Sequence, residues 1–311
     1  MQEQARIRDI VIVGGGPAGL TAGLYAMRGG ADAVLLEGML PGGQILKTHK
    51  IENYPGRPDA PDGYALAESM AEQAASFGLE TVYASADRIT AADGLFAVET
   101  AEGTVRAKAV ILCPGASPRP LGLEEEERFV GQGVSYCATC DGAFYRNKRA
   151  AVVGGGDTAL NDALYLSALC EKVYLIHRRD AFRGSPILEK AVRAKENIEL
   201  VLSSRVIALQ GETKLRSLTL QSTVTGETSA LETEGLFVAV GIVPNTKTFS
   251  ELVPLTPDGF ILTDEKRATA VPGLFAAGDA CVTPLRQVIT ACADGAIAAT
   301  AALEYVKSLS L

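Results

Sequence analysis

The chain has 311 residues, 47% hydrophobic and 21% charged, with a formal net charge of −8 and an isoelectric point near 5.0. That length exceeds what one hydrophobic core normally organises, so two domains are expected. The acidic balance argues against a nucleic-acid-binding surface, which is basic. Residues 1–10, MQEQARIRDI, lack the basic-then-apolar layout of an export signal. No apolar stretch is expected to reach the length of a membrane span, because Asp294 and Gly295 interrupt ACADGAIAATAAL. A cytoplasmic chain with no membrane contact is the expectation, and structural disulfides are disfavoured there. Six cysteines without a second CxxC, and two histidines (His49 and His177), give no zinc spacing, so no metal is expected.

In chain order, the first informative segment is VIVGGGPAGL at 11–20, an apolar strand feeding a glycine cluster that opens a helix-like run. A second apolar strand, VLLE, follows at 34–37. The same layout returns as AVVGGGDTAL at 151–160, with YLIH at 174–177. Each copy is a strand–helix–strand unit of the size that binds a dinucleotide. Gly14 and Gly154 permit the turn off the strand, and Gly16 and Gly156 allow close approach of a pyrophosphate. Gly19 and its counterpart Ala159 keep the helix near the sheet. Helix amides then face the phosphate. One such glycine motif is weak evidence, whereas two in register, each with its following strand, point to two dinucleotide sites.

Between the copies lies CATCDG at 137–142. Two cysteines three apart are open to three readings: a metal clip, a pair of buried thiols, or a redox dithiol. A disulfide across one helical turn closes too small a loop to gain much entropy, so its value would be redox. Asp141 is a candidate proton carrier for such a pair, or a turn residue. The other cysteines, Cys113, Cys170, Cys281 and Cys292, sit singly in apolar stretches and read as small core residues.

The two copies differ where their second strands end. Glu37 closes the first and suits a ribose hydroxyl pair. His177 closes the second and is followed by Arg178, Arg179 and Arg183. Guanidinium groups would bind a 2′-phosphate that a carboxylate repels, so the second site is expected to prefer NADPH.

Two apolar strands ending in glycine, KAVILCPGA (108–116) and EGLFVAVG (234–241), run into proline-bearing exits at 117–120 and 242–245. These exits mark domain crossings and hinge candidates. Residues 1–117 with 246–311 are expected to form one nucleotide domain, and 118–245 a second one inserted in it. VPGLFAAGDA (271–280) returns another strand to the first domain, ending in Gly278 and Asp279, an acid suited to a sugar or ribityl hydroxyl.

Taken together, GGGPAGL, PGGQI (41–45), IENYPG (51–56), CATCDG, GGGDTAL, HRRDAFR (177–183), GIVPNT (241–246), GLFAAGDA and RQVITA (286–291) resemble the low-molecular-weight thioredoxin reductases nearly end to end. The resemblance implies an α/β fold with two nucleotide-binding three-layer (ββα) domains of the two-dinucleotide-binding flavoprotein type. It places FAD on the discontinuous domain and NADPH on the inserted one. Around FAD it implies Gly14, Gly16, Pro17, Ala18, Glu37, Gly43, Gln44, Asn53, Gly278, Asp279, Arg286, Gln287 and Val288. Around NADPH it implies Gly154, Gly156, Asp157, Thr158, His177, Arg178, Arg179 and Arg183. It assigns Cys140 to the flavin and Cys137 to attack on the partner's disulfide, with Asp141 as acid–base. It further implies a homodimer joined through the FAD domains, a rotation of the inserted domain between half-reactions, and thioredoxin or a thioredoxin-like protein as partner. Asn161 and Asp162 depart from the paired glutamates common in the family, and Leu285 from an aromatic.

Two other functions stay open at this point. An FAD-dependent thiol oxidase, or a reductase of another small disulfide, would keep the flavin and the dithiol; the run HRR…R favours the use of a pyridine nucleotide. A nucleotide-sensing module without turnover would keep the fold alone.

Overall fold

The computed structural model describes residues 6–48 and 51–309, so His49 lies outside the described residues. The chain divides into two compact units, Met1–Ser117 with Val243–Leu311, and Pro118–Ile242. The return crossing therefore falls between Ile242 and Val243 rather than at the expected 245–246 boundary.

The first unit begins with strand β1 (Ile7–Val13), helix α1 (Pro17–Arg28) and strand β2 (Ala33–Leu36). It continues through α2 (Gly63–Ser76), β3 (Glu80–Val82), β4 (Arg88–Ala92), β5 (Leu95–Thr100), β6 (Gly103–Leu112) and the crossing strand β7 (Ala116–Pro118). Its sheet runs β3-β2-β1-β6-β5-β4. The long β6 has two partners on one edge. Its first half pairs antiparallel with β5 (Phe96 opposite Ala107), and its second half is left for a strand arriving from the far end of the chain.

The second unit holds α3 (Glu126–Phe129), β8 (Val134–Ser135), α4 (Ala138–Asp141), β9 (Arg149–Val153), α5 (Asp157–Ser167), β10 (Lys172–Ile176), α6 (Pro186–Arg193) and β11 (Ile198–Val201). An antiparallel meander of β12 (Ser204–Gly211), β13 (Leu215–Ser222) and β14 (Thr228–Glu232) precedes β15 (Gly235–Val238). The parallel sheet of this unit runs β11-β10-β9-β15-β8. The chain leaves through β16 (Ile242–Pro244), which pairs with β7, and re-enters the first unit as β17 (Leu274–Ala276) and α7 (Val288–Ser308). β17 fills the free half of β6, with Phe275 opposite Ile111.

Both units are three-layered for the same reason. Parallel strands carry apolar residues on both faces and must be covered twice. In β1, Ile10 and Ile12 pack toward α1 and α7, while Val11 and Val13 pack toward Ile89, Phe96 and Val98 of the β4–β5 layer. In β9 and β10, Ala150, Val152, Val173 and Leu175 pack on Ala159, Leu160, Ala163 and Leu166 of α5. Their neighbours Ala151, Tyr174 and Ile176 meet Val206, Leu218 and Leu220 of the meander. Period-two alternation thus assigns each strand residue to one of two cores.

Helix α7 corrects one sequence expectation. Its 21 residues make it long and apolar enough, by length and composition, to span a membrane, and Asp294 and Gly295 lie inside it rather than breaking it. Asp294 is tolerated because it is buried in an ion pair with Arg267 and accepts the Gly278 N–H at 3.2 Å. Gly295 lets the backbone of α1 approach: a Cβ there would lie 2.1 Å from the carbonyl oxygen of Ala18. The helix is a core element packed on α1 through small residues, among them Ala291, Ala298 and Ala302. Replacing Gly295 by alanine should force α7 off α1 and cost about 1–3 kcal/mol. The urea midpoint of the variant checks this, and an unchanged midpoint would contradict it.

Candidate functional site

The first glycine cluster turns the chain from β1 into α1. Gly14 has φ +101°, and a Cβ on it would sit 2.3 Å from the Cys113 carbonyl oxygen on β6's exit. A Cβ on Gly19 would sit 1.8 Å from the carbonyl oxygen of Gly14. Gly16, the residue before the helix, has nothing within 4 Å of its Cβ position, so open space lies over the helix start. Pro17 occupies the first turn, where a missing N–H costs nothing, and no side chain caps the helix. The buried Ala18 follows.

Glu37 stands at the end of β2. Its Oε2 accepts from the Gly15 N–H at 2.7 Å and its Oε1 from the Met39 N–H at 2.9 Å. The carboxylate is therefore held by backbone donors, and its remaining lone pairs can accept from a sugar hydroxyl. Gly43 has φ +59° and packs its Cα side against Gly16, and Gln44 donates to Ser117 Oγ at 3.4 Å. Asn53 donates to Gln287 Oε1 at 3.0 Å. Gln287 caps α7 in a reciprocal box with Thr290, and Val288 opens the helix. Gly278, at φ +79°, leads into the half-buried Asp279. Burial pushes the Asp279 carboxyl up against the opposing pull of Arg286, and the Asp294 charge adds to the rise. Arg286 lies over the Phe260 ring, 4.7 Å from its centroid. The structure thus gathers the predicted residues of the discontinuous unit at the ends of β1, β2 and β17 and the start of α7.

The second cluster repeats the plan with changes. Gly154 is glycine for close approach rather than for a left-handed backbone: a Cβ would lie 2.4 Å from the Ala239 carbonyl oxygen. Gly156 again faces open space, and no side chain caps α5. Asp157 and Thr158 are exposed in its first turn, and Asp157 Oδ1 accepts from the Ser185 N–H at 2.6 Å. His177 takes the position of Glu37. Its ring lies against Gly155, where a Cβ would meet Cε1 at 2.2 Å, and stacks on Phe182 at 5.6 Å. It is 6% exposed, and its Nε2 has no hydrogen-bond partner among the described residues. Arg178, Arg179 and Arg183 are exposed beside it and make no ion pair among the described residues. A buried orphan nitrogen, an open glycine and three unpaired guanidinium groups fit a phosphorylated nucleotide. The first cluster, with its open Gly16 and Glu37, fits a second dinucleotide.

Cys137 and Cys140 form a disulfide, with Cα atoms 5.3 Å apart. Cys137 precedes α4, and its carbonyl oxygen accepts from the N–H groups of Cys140 and Asp141 at 3.3 and 3.1 Å. Both cysteines are partly exposed. The Cys137 sulfur is 3.4 Å from Thr139 Oγ1. Asp141 accepts from the hydroxyl of Ser135 at 2.6 Å. Tyr145, one turn on, has its hydroxyl pushed up to about 12 by burial, then by the Asp141 charge and by Cys170. The four remaining cysteines are buried. Burial pushes their thiols up, Cys170 to about 11 and Cys281 to about 12. At neutral pH they are poor nucleophiles.

Ser135, Ser117 and Asn245 were not legible as site residues. Asn245 donates to the Pro114 carbonyl at 3.0 Å, and its Oδ1 accepts from Ser117 Oγ at 3.2 Å, which pins the two crossing segments together. The partners of Ser117 and Asn245 are far away in sequence, whereas those of Ser135 are only two and six residues on, and no local pattern announces any of them.

A family model described as pyridine nucleotide-disulphide oxidoreductase matches residues 8–295. The chain belongs to this family. It is 40% identical over 310 residues to a thioredoxin reductase of Listeria innocua, covering 99% of this chain and 97% of that one. It is 40% identical over 295 residues to a bifunctional thioredoxin reductase/thioredoxin of Mycobacterium leprae, covering 94% of this chain and 64% of that one. Among solved structures, thioredoxin reductase from Streptococcus pyogenes MGAS5005 superposes with a TM-score of 0.91 at 39% identity, over 97% of this chain and 99% of that one.

The environment of His177 has a pH consequence. Burial, then the charges of Arg178, Arg179 and Arg183, hold its pKa below the ordinary imidazole value. The unfolded chain therefore takes up this proton at higher pH than the fold does. Stability from the neutral ring is complete above about pH 6.5 and is lost as pH falls from there through the depressed folded value. The urea midpoint should drop between about pH 7.5 and 5.5 in the native chain, and by less in His177→Gln. Equal drops in both would contradict the assignment.

Proposed function

We propose that the protein is an NADPH-dependent flavoprotein that reduces the disulfide of thioredoxin or a thioredoxin-like protein. One observation carries this reading: a partly exposed disulfide, beside an acid, shares its unit with an open glycine cradle and three exposed arginines. Full-length similarity to thioredoxin reductases supports it. FAD is assigned to the unit of Met1–Ser117 and Val243–Leu311, held by Gly14, Gly16, Glu37 and Asp279 among others, and NADPH to Pro118–Ile242. When bound, FAD supplies the two-electron link between NADPH and the Cys137–Cys140 pair.

The chain's own residues account for the exchange that follows. In the dithiol form, Asp141 takes the proton of Cys137, and the thiolate attacks one sulfur of the partner's disulfide. That bond breaks as a mixed disulfide forms, and the departing partner thiolate recovers the proton from Asp141. Cys140 then loses its proton toward the second partner sulfur and attacks Cys137. The intramolecular disulfide re-forms and the partner leaves with two thiols. Two electrons and two protons pass to the partner in all. The buried, weakly acidic Cys113, Cys170, Cys281 and Cys292 stay outside this exchange.

The exposed Arg178, Arg179 and Arg183 favour a reductase over a thiol oxidase, which has no use for a pyridine nucleotide. A turn of one unit against the other, as the resemblance implies, would have to occur at β7 and β16, the two chain crossings. We further read the chain as a cytoplasmic homodimer joined through the FAD-binding units. The half-exposed Tyr25, Ile289 and Ile297, beside a cleft of about 300 Å³ between α1, α2 and α7, support that association.

Replacing Cys137 by serine should preserve anaerobic bleaching of the bound flavin by NADPH and abolish reduction of oxidised thioredoxin, at least a thousandfold. Surviving turnover would overturn the reading. Gly156→Ala, whose new methyl meets no protein atom, should leave the thermal midpoint unchanged and raise KM for NADPH about tenfold or more. An unaffected KM would remove NADPH from that cradle.

A further inference from the structure

Ser135 ends β8 and is 4% exposed, two residues ahead of Cys137. Its hydroxyl donates to Asp141 Oδ2 at 2.6 Å and accepts from the Cys137 N–H at 3.1 Å, and the Cys137 carbonyl oxygen lies 3.3 Å away. A hydroxyl has a single proton to give, and the shorter bond, to a charged acceptor, is the stronger. The proton therefore belongs to Asp141, while a lone pair serves the Cys137 amide. One buried oxygen thus ties the backbone at the start of the CATCD turn to the carboxylate at its end, and both flank the sulfur pair.

We propose that Ser135 is a positioning residue for the dithiol chemistry: it holds the Asp141 carboxylate at the CATCD turn that carries Cys137 and Cys140, and so sets the pH above which the Cys137–Asp141 couple has lost the proton that a departing thiolate needs. This rests on the role given to Asp141 above. The bond also distinguishes the two carboxylate oxygens.

Other titratable groups surround the turn. Tyr145 follows it, protonated across the neutral range, and the ammonium of Lys148 lies 5.7 Å from the Tyr145 ring centroid. α5 packs against the turn: a Cβ on Gly142 would meet Leu166 at 2.9 Å and Tyr165 at 3.0 Å. That helix carries Asp162, whose carboxyl burial pushes up to about 6. A pH limb from Asp162 must therefore be separated from one due to Asp141.

The test is the pH dependence of single-turnover transfer from NADPH-reduced holoenzyme to oxidised thioredoxin. It is run on the native chain, Ser135→Ala, Ser135→Thr, Asp141→Asn, the double Ser135→Ala/Asp141→Asn, and Asp162→Asn. Losing a hydrogen bond to a charged group raises the acid's pKa. The limb on which transfer falls with rising pH should move upward by roughly one pH unit in Ser135→Ala. It should return toward the native position in Ser135→Thr, disappear in Asp141→Asn, gain nothing from the added alanine there, and stay in place in Asp162→Asn. Flavin absorbance and the thermal midpoint report folding, and Ser135→Gly removes the same oxygen if the alanine variant fails to fold. A limb unmoved in Ser135→Ala but lost in Asp141→Asn would overturn the proposal and leave the role of Asp141 standing. A limb that persists in Asp141→Asn, or vanishes in Asp162→Asn, would overturn both.

Discussion

The architecture depends on how closely two helices can approach the strand ends that precede them. In the first unit, Gly19 of α1 lies so near the Gly14 carbonyl that no side-chain carbon fits between them. In the second, Ala159 is admitted because Gly154 has already vacated the space; their Cβ positions would be 2.6 Å apart. Once the helix is pressed onto the sheet, its uncapped first turn must open toward the carboxyl ends of the strands. The remaining site residues, Glu37 and His177, Asp279 and the arginines, are delivered to that same edge by the parallel topology.

The two units share this frame but use it differently, and the contrast lies at one position. Glu37 satisfies two backbone N–H groups with its carboxylate oxygens. His177 fills the same corner with a ring pressed on Gly155 and Phe182, and keeps a nitrogen unsatisfied among the described residues. A carboxylate that is already bonded tolerates water, whereas an orphaned buried nitrogen is a standing cost unless something polar meets it. The second corner is therefore built for occupancy.

Much of this was legible because glycine is required by local geometry. The duplication, the strand that follows each helix, and the CATCDG turn all follow from short-range spacing. The outer β layers were not. Residues 204–222 lose clean alternation where the register slips between Val206 and Ala208, so the pattern reads as irregular. Asp294 reads in the sequence as an interruption of an apolar stretch because its partner, Arg267, lies on another segment; the ion pair that makes it acceptable is a tertiary fact. Ser135 is illegible for a more local reason. A serine before a cysteine is unremarkable until the turn folds Asp141 back onto it.

The distribution of sulfur has a practical corollary. Four thiols are shielded from solvent and weakly acidic, while two are partly exposed and can be joined. An electrophilic label applied at neutral pH under native conditions would consequently count the state of a single pair, adding two adducts or none. The molecule carries its own internal gauge of oxidation, legible by mass alone, and misjoined bonds among its six sulfurs are discouraged by the packing itself.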